Sequence, residues 1–187
     1  GVLAQASYTG SDVESIYDVP IKFELDTIGE TILKALHLRA KTNYEGLDKW
    51  RALVNKIKTP KDEVLIAIVG KYFDTGDFVL LDAYISVIEA IKFSAYKEGF
   101  APKISWLNAK DFEKSKRAIK SRSTHDGIIV PGGFGETGIE GKLSVIRYVR
   151  EQKIPYFGLC YGMQLAVVEY ARNVLGWEGA HTTEIDP

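Results

Sequence analysis

The sequence has few of the features that mark a secreted or membrane-spanning protein. Its 187 residues include a single cysteine, which cannot form an internal disulfide and so favours a reducing, intracellular setting. No apolar run approaches the roughly 20 residues that a membrane-spanning helix needs. The N-terminus lacks the basic and apolar regions of a signal peptide. We therefore expect a cytoplasmic protein without a membrane partner.

An excess of charge of either sign is also missing. The 25 acidic and 24 basic side chains give a formal net charge of −1, so we expect no nucleic-acid partner. Hydrophobic residues make up 45% of the chain, which is enough to bury a core. The length suits one domain, or one domain and a linker.

The hydrophobic pattern changes near Pro60. Before it, apolar residues recur at helical spacing in "DTIGETILKALHL" and "EGLDKWRALVNKIK". A shorter helix in "SDVESIYDVP" is predicted to begin at Ser11 or Asp12 and to stop before Pro20. Residues 1–60 are therefore predicted to form a helical linker.

From residue 61 to residue 187, apolar runs suited to buried strands alternate with helical patterns. Four strands are predicted, at residues 64–70, 103–107, 126–133 and 155–160. Helices are predicted at residues 81–99, 108–120, 141–153 and 162–176. This alternation predicts an α/β fold, with an open, mostly parallel sheet and helices on both faces. Sites in such folds lie beyond the carboxyl ends of the strands.

The single cysteine, Cys160, lies in "GLCYG", between the fourth predicted strand and the next helix. Gly158 and Gly162 would relieve crowding at a sharp strand-to-helix turn, as they do in the serine elbow. The helix N-terminus would lower the thiol pKa from about 8.5, and the Tyr161 N–H would face an oxyanion. The pattern predicts a nucleophile, but by itself it fits a buried core cysteine equally well.

A second glycine-rich segment, "VPGGFGETGIEG", follows the third predicted strand. Glycine permits backbone conformations that turn N–H groups toward a ligand, so Gly133 is a candidate for a second oxyanion donor. The segment also fits a phosphate cradle, although it lacks the P-loop pattern, or a flexible turn. Its pairing with Cys160 favours the oxyanion interpretation.

Several of these segments together resemble a known family. "PGGFG", "GIEGK" and "KIPYFGLCYGMQLAVVEYARNVLGWEGAHTTEIDP" closely resemble the class I glutamine amidotransferase domain of the CTP synthase family. "DVESIYDVP" resembles the end of that family's synthetase domain and its interdomain linker. The resemblance implies a linker over residues 1–60 and an amidotransferase domain over residues 61–187, whose C-terminal part is expected beyond Pro187.

The resemblance implies that Cys160 attacks glutamine to give a glutamyl thioester, with the N–H groups of Gly133 and Tyr161 as the oxyanion hole. The glutamine site would contain Gly132, Phe134, Gln164 and Glu184. A carboxylate such as Glu184 is a natural partner for an α-ammonium group. Without the motif, Glu184 would be interpreted as a solvated loop acid and Gln164 as a helix cap or surface residue.

The same resemblance implies partners for the whole enzyme. Ammonia would aminate ATP-activated UTP to CTP, with Mg²⁺ bound alongside ATP in a synthetase domain and neither metal nor cofactor in this domain. GTP would be an allosteric activator. Thr137, however, stands where many relatives have arginine, and Ile85 stands where some relatives have lysine near the nucleotide effector. The expected assembly is a homotetramer.

A cysteine nucleophile needs a base, normally a histidine oriented by an acid. In the family both lie in a downstream H-P-E-type segment, which we expect beyond Pro187. His37 falls in the linker, His125 at the wrong end of a strand, and His181 in a loop position that is not catalytic in the family. Two alternatives remain: a different class I amidotransferase or α/β cysteine hydrolase, and a non-catalytic regulatory module of the same fold.

Overall fold

The computed structural model describes residues 13, 15–39, 45–70, 81–114, 124–133 and 138–184. The chain divides into two compact units, residues 1–59 and residues 60–187. Within the described residues, no helix combines the length and apolar character needed to cross a membrane.

The described part of the first unit is helical. A 3₁₀ turn leads into three helices: α1 (Val19–Leu25), α2 (Ile28–Ala35) and α3 (Glu45–Lys58). The expectation that the first helix stops before Pro20 is wrong. Pro20 lies in the first turn of α1, where its missing N–H would have no intrahelical acceptor. Trp50 of α3 joins the unit together, because its Nε1 donates to the Tyr17 carbonyl oxygen at 2.8 Å.

The second unit is an α/β fold, as the sequence predicts. Its described residues form four strands: β1 (Asp62–Gly70), β2 (Phe100–Asn108), β3 (Gly127–Val130) and β4 (Tyr156–Gly158). They form one parallel sheet in the order β2-β1-β3-β4. Its described helices are α4 (Leu81–Glu98), α5 (Ala109–Lys114), α6 (Ile139–Gln152) and α7 (Tyr161–Asn173). Part of the helix predicted at residues 108–120 lies outside the described residues.

Helices cover both faces of the sheet. Because side chains alternate along a strand, Ala67 and Val69 of β1 join the core formed with α6 and α7. Ile68 points the other way and packs in a cluster with Tyr84, Ile88 and Ile91 of α4. The continuous apolar run of β1 is therefore explained by burial on both sides.

An ion pair between the half-buried Arg150 and the buried Glu169 joins α6 to α7. Glu169 of α7 is 1% exposed, and Arg150 of α6 donates to its two carboxylate oxygens at 2.8 and 2.9 Å. The hydrogen bond to Glu169 raises the pKa of the Arg150 guanidinium. The pair holds α6 and α7 together, and these are the helices that follow the glycine-containing ends of β3 and β4.

The start of α6 packs tightly against the first residue of α5, directly after β2. A Cβ atom at Gly141 would lie 1.9 Å from the carbonyl oxygen of Ala109, the residue that follows β2. Only glycine allows this approach. The close contact places the end of the glycine-rich segment at the carboxyl edge of the sheet.

Candidate active site

Cys160 lies on the turn between β4 and α7, and its thiol is exposed. Its φ of 50° and ψ of −107° are rarely adopted by a residue with a side chain. Its carbonyl oxygen accepts the N–H groups of Met163 and Gln164 at 3.1 and 3.2 Å. The cysteine is therefore the N-cap of α7, an exposed residue held in a strained conformation, and it is not a packed core cysteine.

The glycines on either side of Cys160 are required by close packing. A Cβ atom at Gly158 would lie 2.6 Å from the backbone nitrogen of Met163, and one at Gly162 would lie 2.1 Å from the carbonyl oxygen of Val130. No side chain fits at either distance. This is the physical reason for the G-x-C-x-G spacing in the sequence.

Hydrogen bonds hold the same turn in place. The Leu159 N–H donates to the Val130 carbonyl oxygen at 2.9 Å, which continues the pairing of β3 with β4. The Tyr156 hydroxyl donates to the Gly162 carbonyl oxygen at 2.7 Å. Burial raises the pKa of the Tyr156 phenol, so it keeps the proton that makes this bond. The cysteine is thus positioned by residues of both strands.

The glycine-rich segment after β3 lies beside Cys160. A Cβ atom at Gly132 would lie 3.4 Å from the Cys160 Cβ and 3.9 Å from its Sγ. A Cβ atom at Gly133 would have no neighbouring atom within 4 Å among the described residues. The two strand ends are adjacent because β3 and β4 pair in parallel. Phe134 and Thr137 lie outside the described residues.

Tyr161 is the first residue of α7. The first N–H groups of a helix have no intrahelical acceptor, so its N–H is available as a donor next to the thiol. Its side chain is 2% exposed, and the Lys142 Nζ lies 5.3 Å from the ring centroid. Burial and then the charge of Glu184 raise the pKa of Tyr161, which keeps the phenol neutral. Among the described residues, its hydroxyl has no hydrogen-bond partner.

The structure brings Gln164 and Glu184 together. The Gln164 Nε2 donates to the Glu184 Oε1 at 2.9 Å. Thr182, which the sequence analysis missed, donates its hydroxyl proton to the Gln164 Oε1 at 2.6 Å. The Glu184 N–H donates to the Thr182 Oγ1 at 3.4 Å. The only signal for Thr182 in the sequence was its place two residues before Glu184.

Arg172 of α7 fastens the loop that carries Thr182 and Glu184. Its Nε donates to the Ala180 carbonyl oxygen at 2.6 Å. Its Nη1 lies 3.2 Å from the Oε1 of Glu140, in the first turn of α6. One guanidinium therefore joins this loop to the helix that follows the glycine-rich segment.

The three histidines lie in different places. His37 is exposed and follows α2. His125 precedes β3, at the end of the strand opposite to Cys160 as expected, and its ring pairs with the Ser105 hydroxyl. His181 is exposed, and its Nδ1 accepts the Thr182 N–H at 2.9 Å. The described ranges contain no group of three or more His, Cys, Asp or Glu side chains able to hold a metal ion.

The α/β fold and the cysteine turn between β4 and α7 are features of one class of protein. A comparison with known families identifies that class. The family model described as "Glutamine amidotransferase class-I" matches residues 79–185, more than half of the chain. The chain belongs to the class I glutamine amidotransferase family.

Within this family the similarity is to CTP synthases. The CTP synthase of Caldanaerobacter subterraneus is 47% identical over 186 residues, which cover 100% of this chain and 33% of the relative. That of Sulfurisphaera tokodaii is 46% identical over 180 residues, 96% of this chain and 33% of the relative. The chain therefore spans about a third of the length of the curated relatives it matches.

A solved structure agrees with these relatives. The glutaminase domain of Trypanosoma brucei CTPS with bound acivicin matches with a TM-score of 0.58 and 37% identity. The match covers 65% of this chain and 45% of that chain. The resemblance predicted from the sequence is thus confirmed at the level of both sequence and fold.

Proposed function

We propose that this chain is the glutaminase part of a CTP synthase, and that Cys160 is its nucleophile. The observation that carries the proposal is the exposed thiol on a strained turn, with its Sγ 3.9 Å from the Cβ position of Gly132. Family membership and the CTP synthase relatives support the reaction class. The exposure of Cys160 supports catalysis over a non-catalytic role.

In the proposed reaction, the Cys160 thiolate attacks the side-chain amide carbon of glutamine. The N–H groups of Gly133 and Tyr161 donate to the oxyanion that forms. The C–N bond then breaks, the nitrogen takes up a proton and leaves as ammonia, and a glutamyl thioester remains. Water hydrolyses the thioester to glutamate and restores the thiol. We expect the histidine base and its glutamate partner in sequence downstream of Pro187.

The proposed glutamine site would lie next to the thiol. Gly132 and Phe134 would line it, and the Glu184 carboxylate would bind the α-ammonium group of the substrate. Gln164 would contact its remaining polar groups. The bond between Gln164 and Glu184 supports this assignment, because two residues 20 positions apart are held at one place.

For the whole protein, we propose that the ammonia aminates ATP-activated UTP to CTP. Residues 1–60 would be the end of a synthetase domain and a linker, and residues 61–187 would belong to the amidotransferase domain. ATP with Mg²⁺ and UTP would bind in the synthetase domain, and GTP would activate glutamine hydrolysis. The assembly would be a cytoplasmic homotetramer.

The first test is Cys160→Ala in the full-length protein. Glutamine-dependent CTP formation should be abolished, because no thioester can form, whereas CTP formation from added ammonium chloride should be retained. Both rates are measured from the absorbance change as UTP becomes CTP. Equal loss of both activities would contradict the role assigned to Cys160.

The second test uses acivicin, which the T. brucei relative binds. After treatment of the protein with acivicin, peptide mass spectrometry should find the reagent attached to Cys160. Added glutamine should slow this modification of Cys160. An unmodified Cys160 under conditions that modify a control amidotransferase would favour the regulatory module over the enzyme.

A further inference from the structure

The loop after α7 contains a residue whose contacts suggest a role in binding substrate. We propose that Thr182 is a positioning residue: its hydroxyl anchors the side chain of Gln164, and Gln164 in turn holds the Glu184 carboxylate ready for the α-ammonium group of glutamine. This inference rests on the proposed function and adds a residue to it.

The hydrogen bonds define which way the Gln164 amide faces. A threonine hydroxyl has one proton, and Thr182 gives it to the Gln164 Oε1 at 2.6 Å. The Gln164 NH₂ group then faces the Glu184 Oε1 at 2.9 Å. If the amide were reversed, its carbonyl oxygen would face a carboxylate, and two acceptors would meet without a proton between them.

Burial separates the positioning residue from the binding residue. Thr182 is 9% exposed and Gln164 is half-buried, whereas Glu184 is exposed. Thr182 is therefore placed to act through its neighbours instead of touching the substrate. Gln164 contacts one carboxylate oxygen of Glu184, Oε1, and no hydrogen bond from the described part of the chain reaches the other oxygen. Holding an exposed side chain in its bound orientation lowers the entropic cost of binding.

The loop backbone does not depend on Thr182 alone. Arg172 holds it separately, through the Ala180 carbonyl oxygen at 2.6 Å. Loss of the Thr182 hydroxyl is thus expected to free the side chains of Gln164 and Glu184 and to leave the loop attached to α7.

The test compares Thr182→Val, Thr182→Ser and Thr183→Val in the full-length protein. Valine keeps the shape and removes the hydroxyl, serine restores it, and the exposed Thr183 is a matched neighbour. We expect Thr182→Val to raise the KM for glutamine about tenfold, the effect of one hydrogen bond in a charged network, with kcat within about twofold. Serine should bring KM back near the wild-type value, and Thr183→Val should not change it.

A second measurement removes catalysis from the comparison. In a Cys160→Ala background, calorimetry should show glutamine binding about tenfold more weakly when Thr182→Val is added. Circular dichroism melts check folding, and Thr182→Ala takes the place of the valine variant if valine prevents folding.

The outcomes separate the two proposals. An unchanged KM in Thr182→Val, a loss confined to kcat, or a serine variant as impaired as valine would each overturn the role of Thr182. A wild-type protein that neither hydrolyses nor binds glutamine would overturn the proposed function itself.

Discussion

Gly162, in the first turn of α7, lies so close to Val130 at the end of β3 that a Cβ atom at position 162 would come within 2.1 Å of the Val130 carbonyl oxygen. This contact determines how near the helix that follows Cys160 can approach the strand beside it. The position of the thiol therefore depends on a glycine two residues away.

Gly162→Ala tests this contact. The added methyl group must push α7 away from β3, and we expect the free energy of unfolding to fall by about 3 kcal/mol. Gly179→Ala is the matched control, since a Cβ there has no neighbour within 4 Å in the described part of the chain. Urea unfolding followed by fluorescence measures both. Equal stability of the two variants would show that the close approach of α7 to β3 does not restrict the side chain at position 162.

Tyr156→Phe tests the second restraint on this turn. At pH 7 the loss of the bond to the Gly162 carbonyl oxygen should lower the free energy of unfolding by about 1 kcal/mol. Burial raises the pKa of Tyr156 above its ordinary value of 10.0. The folded protein therefore keeps a proton that the unfolded chain releases above pH 10, and this part of the stability is present below pH 10 and lost as the pH rises further.

Tyr156→Phe should therefore lose less stability than the wild type between neutral pH and about pH 11. Urea unfolding at both pH values measures the difference, with the exposed Tyr170 changed to Phe as a control. A variant with the same alkaline loss as the wild type would be inconsistent with a buried phenol at position 156.

Tyr161→Phe removes a buried hydroxyl that has no partner among the described residues. Because an unsatisfied buried polar group is destabilising, we expect the variant to gain about 1 kcal/mol of stability. Thermal and urea unfolding of the variant and the wild type measure the change. A loss of similar size would show that the hydroxyl does make a hydrogen bond.

Arg150→Met would leave the buried Glu169 carboxylate without its main partner. We expect a loss of about 3 kcal/mol, measured by urea unfolding. The double variant Arg150→Met, Glu169→Met removes both charges and should recover part of that stability, because no unpaired charge then remains buried. A double variant less stable than the single one would contradict this account of the pair.

The order of elements in the second unit could be predicted from the sequence, because buried parallel strands are continuous apolar runs. The first and last residues of these elements could not be predicted. β2 begins at Phe100, not at residue 103, since its pairing with β1 starts at Asp62 and Phe100. Similarly, α7 ends at Asn173, three residues before the predicted Gly176. These limits depend on neighbours that are distant in sequence.

The candidate site divides in the same way. The sequence alone predicted the sharp turn at Cys160, and the steric need for glycine at position 158 is local, because it comes from the nearby backbone of Gly162 and Met163. The need for glycine at position 162 comes from the Val130 carbonyl oxygen of β3, which is distant in sequence. Only the tertiary structure placed Gly132 beside the thiol and joined Thr182, Gln164 and Glu184. Those contacts follow from the parallel pairing of β3 with β4 and from a loop that folds back onto α7. Such long-range packing leaves no spacing pattern in the sequence.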